Sequence, residues 1–117
     1  MKSLIKTAYE QGYLDGKLDR AKPDDHKKAE RIIEIVCAEY NLTLGEIRGK
    51  GLRSVVVYPR QVAMYIMFER TGLSDSVIGL YFGKGRGAVR HAWALIGNEY
   101  EVYQELRDKI TKIEEGL

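Results

Sequence analysis

The sequence predicts an all-α protein: a compact helical domain containing a helix-turn-helix, with an extra N-terminal helix and a long C-terminal helix. Three observations carry this. Apolar residues recur at steps of three and four along most of the chain. Helix-start signals precede those runs: Asp24-Asp25, Thr43 with Glu46, and Ser74 followed by Asp75. The two runs that could pass for strands, Val55 to Val57 and Val77 to Phe82, both sit in helical surroundings. With 117 residues the chain suits a single domain, read as an N-terminal extension over 1–22, a core over 24–96 and a continuation of the last helix over 97–117.

Residues 3–19 place Leu4, Ile5, Ala8, Tyr9, Gly12, Tyr13 and Gly16 on one face, the pattern of an amphipathic helix. Pro23 breaks that pattern, and Asp24 or Asp25 can cap a second helix running to about Tyr40. Its stripe is Ala29, Ile32, Ile33, Val36, Cys37 and Tyr40. Asn41-Leu42 closes it, and Thr43 with Glu46 forms a capping box for a short helical turn. Gly45, Gly49 and Gly51 mark the basic segment GEIRGKGLRS as an exposed loop. Pro59 suits a helix's first turn, and Val62, Ala63, Ile66, Met67 and Arg70 carry that helix to a stop at Thr71-Gly72.

Ser74 is an N-cap for a helix over 75–82, with Val77, Ile78, Tyr81 and Phe82 at helical spacing. A glycine-rich corner at 83–87 follows. Val89, Ala92, Trp93, Ile96, Tyr100 and Tyr103 then read as one unbroken helix toward residue 115. Gly83, Gly85 and Ala88 also satisfy the spacing of a dinucleotide-binding turn. That fold needs a further strand about twenty residues on, carrying an acid for the ribose. Glu101 and Glu105 instead fall in a helix, so no nucleotide is expected.

A charged, amphipathic N-terminus without a continuous apolar region is no secretory signal, and no apolar run could span a membrane. A cytoplasmic, or nucleoid-associated, protein is expected. The single Cys37 lies among apolar neighbours and reads as core filler. His26 and His91 have no companions at metal-ligand spacing, and no carboxylate pair has the setting of an acid/base site. No enzyme, cofactor or metal is therefore expected. The charge is uneven: residues 50–91 hold seven Lys or Arg against two acids, while the rest hold twelve against fifteen. Such a concentration suits a polyanion-binding face, because each cation near a phosphate displaces condensed counterions, and it suits a solvated basic surface as well; composition alone does not choose between them.

From Ile32 to about Ile96 the chain resembles the C-terminal DNA-binding domain of the bacterial replication initiator DnaA. The residues carrying the resemblance are "IIEIVCAEYNLTLGEIRGK", "YPRQVAMYIMFERTGLS", and "VIGLYFG" followed by "AVRHA". The resemblance implies double-stranded DNA as partner, in replication or transcription control. It implies a loop arginine in the minor groove, a role falling to Arg53 with Lys50 nearby, and backbone contacts by Arg60 and Gln61. It also implies major-groove reading by the helix-turn-helix; there Arg86 and Arg90 are the candidates for guanine edges or phosphates, Lys84 is a further DNA contact, and His91 is a packing or phosphate-contacting residue of the recognition helix. Where the family usually has "GGRDHTTVLHA", this chain has "GKGRGAVRHA", one residue shorter, and Leu52 stands where an arginine is common. Gly87 and Ala88 offer no side-chain hydrogen bonds to bases.

Nothing in the sequence looks like that initiator's ATPase domain, which suggests a small regulator or accessory protein, with a phage or mobile element as one source. From residue 92 onward the chain holds six acids against three bases, and its seam of Ile96, Tyr100, Tyr103, Leu106, Ile110, Ile113 and Leu117 is not expected to touch DNA. That seam is expected to pack on the first helix, whose Gly12 and Gly16 permit close approach, or on a second subunit as a short coiled coil, giving a homodimer. The competing function is a scaffold that has lost base readout and binds a protein partner through its acidic helices.

Overall fold

The computed structural model describes residues 21–117 as six helices: α1 (Asp25–Tyr40), α2 (Leu44–Arg48), α3 (Ser54–Arg70), α4 (Asp75–Leu80), α5 (Arg86–Val102) and α6 (Gln104–Glu115). The N-terminal helix expected over 3–19, and the contact expected at its glycines, lie outside the described residues.

Two of the three expected N-caps form, at Thr43 and Ser74, whereas Asp24 stands at the N-cap of α1 without a side-chain cap hydrogen bond. The Thr43 hydroxyl accepts the Glu46 N–H at 3.1 Å while the Glu46 carboxylate accepts the Thr43 N–H at 2.9 Å. The Ser74 hydroxyl accepts from Val77 N–H. Asn41 closes α1 in the left-handed conformation at φ 56°. Asp25 is the first residue of α1, and its buried carboxylate accepts N–H groups of Lys22 at 2.6 Å and Gly72 at 3.0 Å. It thereby ties the start of α1 to the connection between α3 and α4.

The centre of the domain is α3, which contacts every other described helix. Val62 to Phe68 are all buried, so this helix is apolar around its whole circumference, as a central helix must be. It begins a turn earlier than expected. Val55 to Val57 are helical and Pro59 lies inside α3, not in its first turn. The expected loop over GEIRGKGLRS is likewise shorter, because α2 extends to Arg48.

The last helix is broken. Tyr103 has extended backbone (φ −108°, ψ 112°) and ends α5 while starting α6. Arg107 donates through Nη1 to the carbonyls of Tyr100 and Glu101 at 2.8 and 3.0 Å, capping the end of α5. The break lets Leu106, Ile110 and Ile113 bury within the domain, where α6 meets α1, α3 and α5. Much of the seam expected to pack on the first helix or on a second subunit is thus packed against α1, α3 and α5.

Cys37 is a free, buried cysteine whose thiol pKa is raised chiefly by burial.

Candidate nucleic-acid interface

Helices α4 and α5 make the corner that the glycines of 83–87 suggest. The chain winds past α4 through Tyr81 N–H to Ile78 O at 3.1 Å and Phe82 N–H to Gly79 O at 3.0 Å. It reverses at Gly83, whose φ of +64° favours glycine. Lys84 N–H then returns to Gly79 O at 2.9 Å. A Cβ on Gly79 would stand 2.4 Å from the Lys84 carbonyl oxygen, so the corner closes only over a bare residue. Phe82 is buried and anchors the turn to the core.

The first turns of α5 divide cleanly. Val89, Ala92 and Trp93 face inward, while Arg86, Gly87, Ala88 and His91 are exposed. Arg86 and Arg90 stand one turn apart on the same side. Nothing lies within 4 Å of where a Cβ would sit on Gly85 or Gly87, so packing within the described domain does not demand their bareness. The outer face at the start of α5 is therefore smooth, with arginines at its edge. The unpaired N–H groups of a helix N-terminus add partial positive charge there.

Arg90 donates from Nε to Asp75 Oδ2 at 2.8 Å, with 35% of its side chain exposed against 7% for Asp75. Lys84 is half-buried at the corner. On the loop between α2 and α3, Lys50 and Arg53 are exposed and Gln61 is half-buried further along α3. Lys50, Arg53, Lys84 and Arg86 are in no ion pair with another described residue.

Arg60 departs from its expected role. It is 3% exposed, and its guanidinium donates to the carbonyls of Ile47 at 2.7 Å, Gly49 at 2.9 Å, Gly51 at 3.2 Å and Glu46 at 3.3 Å. Four of an arginine's five N–H groups are thus spent on the end of α2 and the loop after it. Burial lowers its pKa from the ordinary guanidinium value, yet an arginine stays charged. Arg60 is the internal brace of the loop and not a group turned toward a phosphate.

One residue absent from the sequence-based set joins the site. Arg48, exposed at the end of α2, has its Cζ 6.0 Å from the centroid of the Tyr81 ring. Tyr81 is itself hydrogen-bonded to His26 Nδ1. Arg48 thereby links the loop, which begins at the next residue, to the corner of the helix-turn-helix. The available signal was its position two residues upstream of Lys50 in the same basic segment.

Fold and face together define a helix-turn-helix domain whose second helix presents a cationic and sparsely decorated N-terminal end. Residues 29–96 match the family described as Bacterial dnaA protein helix-turn-helix, and the chain belongs to that family. It is similar to the chromosomal replication initiator protein DnaA of Caldanaerobacter subterraneus subsp. tengcongensis, at 38% identity over 86 residues, which span 74% of this chain and 19% of that protein. The DnaA of Limosilactobacillus reuteri is 40% identical over 79 residues, covering 67% of this chain and 18% of the relative. That of Chlorobaculum tepidum is 31% identical over 89 residues, covering 75% and 18%. The shared region is a small part of each relative's length. Among the described residues no helix is long and apolar enough to cross a membrane, and no cluster of His, Cys, Asp and Glu could hold a metal.

Proposed function

We propose that this chain binds double-stranded DNA by placing the start of α5 in the major groove, in the service of replication control. The observation that carries the reading is the outer face of α5, where Arg86, Gly87, Ala88 and His91 are exposed beyond a tight corner. A helix of this kind enters the major groove with its N-terminal residues nearest the bases. Gly87 and Ala88 permit close approach, and Arg86, Arg90 and His91 supply the hydrogen-bond donors. Arginine pairs with guanine O6 and N7, so guanine-containing sites are favoured over those read through adenine. Arg53, with Lys50 nearby, serves the minor groove, and Lys84, Arg48 and Gln61 serve as contacts to the phosphate backbone. The family match and the relatives' name, chromosomal replication initiator, support the assignment to replication.

Anisotropy of labelled duplexes, one bearing the initiator-type box and one scrambled, tests the reading at two salt concentrations. With roughly three to five phosphates neutralised, log K should fall against log salt with a slope of about −2.7 to −4.5. Preference for the box would mean that the shortened corner still reads family sequence. Equal, salt-sensitive binding would mean a different or absent specificity. A folded protein that binds neither duplex overturns the proposal.

A further inference from the structure

We infer that Asp75 is a positioning residue for DNA recognition, holding Arg90 side-on so that the tip of its guanidinium faces the groove; this rests on the DNA-binding reading above. Asp75 opens α4 and Arg90 lies in the second turn of α5, so their contact crosses the helix-turn-helix. The carboxylate is 5% exposed as a residue and fully engaged: Oδ1 accepts Ser76 N–H at 2.7 Å and Oδ2 accepts Arg90 Nε–H at 2.8 Å.

The attachment point decides what remains. Nε is the inner nitrogen of the guanidinium, and no described residue accepts from Arg90 Nη1 or Nη2. Those two nitrogens are the pair that matches guanine O6 and N7, or two phosphate oxygens. An unrestrained arginine surrenders rotamer freedom on binding. Here that freedom is surrendered on folding, to a carboxylate that cannot follow it toward the DNA. Arg86, one turn earlier and in no ion pair among the described residues, lacks such a brace.

Loss of the Asp75 charge should have an effect opposite in sign to simple electrostatics. Deleting a negative charge near a DNA-binding face ordinarily tightens binding. Asp75→Asn should instead weaken duplex affinity by about 5- to 10-fold, as expected for loss of one oriented donor pair. In the Arg90→Ala background, Asp75→Asn should cause no further weakening, which is the non-additivity of a coupled pair. Arg90→Lys keeps the charge but has one ammonium for both partners, and should bind within about 2-fold of Arg90→Ala. Melting of each variant without DNA gives the folded fraction. Should Asp75→Asn fail to fold, Arg90→Lys decides alone, since wild-type affinity in that variant leaves no role for an oriented fork. Asp75→Asn binding as tightly as wild type or tighter overturns the inference, and so does an equal weakening with and without Arg90. Wild-type protein that binds no duplex overturns it together with the function on which it rests.

Discussion

Arg60 and Gly79 face the inside of the domain, Arg86 and Gly87 face the outside, and the same two residue types do opposite work in the two places. Arg60 is enclosed by four carbonyls of the α2 end and loop, whereas Arg86 is exposed at the start of α5 and joins no ion pair among the described residues. Gly79 sits where a methyl group would meet backbone at 2.4 Å, whereas a methyl group on Gly87 would meet nothing within 4 Å. The inner pair is explained by folding. The outer pair is not, since glycine is a poorer helix former than alanine by up to about 1 kcal/mol, and nothing in the described domain packs into the space a Cβ on Gly87 would fill. A residue whose cost is not offset by packing points to something outside the domain, and DNA against a smooth helix face fits.

Substitutions can sharpen or break that contrast. The largest stability loss is expected for Arg60→Ala, which strips partners from four carbonyls. About 3 kcal/mol should be lost, read from urea unfolding: the carbonyl of the buried Ile47 is stranded, which costs roughly 1–3 kcal/mol, and the loop loses the guanidinium that ties Gly49 and Gly51 together. Gly79→Ala should follow at about 1–3 kcal/mol, the range for overpacking, as the corner opens around the new methyl. Arg86→Ala should leave the unfolding midpoint within about 0.5 kcal/mol of wild type while weakening duplex binding by about 1–3 kcal/mol. An Arg86→Ala protein that melts early would erase the distinction between the two arginines. Gly87→Ala carries the smallest effect and the most telling sign: stability should rise by up to about 1 kcal/mol while duplex affinity falls.

The contrast also marks what the sequence could tell. Thr43 with Glu46, Ser74 and Asn41 are local devices, acting on N–H and carbonyl groups within a few residues, and each forms the cap its letters predict. The helix-turn-helix was legible for the same reason, because Gly83 and the helical spacing of Val77 to Phe82 are short-range signals. The early start of α3 was not, since three valines and a following proline favour extended backbone locally and are overruled by packing of α3 against every other helix. The break at Tyr103 left only a faint trace, the two consecutive steps of three from Tyr100 through Tyr103 to Leu106. Arg60 was unreadable in kind. Its side chain meets residues nine to fourteen positions away, and charge in a sequence does not say which cations are enclosed.

The face itself can be mapped directly. Backbone amide shifts of the isotope-labelled protein, followed as a short duplex is added, report every residue but the two prolines at once. The largest changes should fall on Lys84 to His91 and on the loop from Gly49 to Arg53, with α6 from Gln104 to Glu115 nearly still. Changes concentrated on α6 or around Tyr103, with the start of α5 unmoved, would contradict DNA binding by this face.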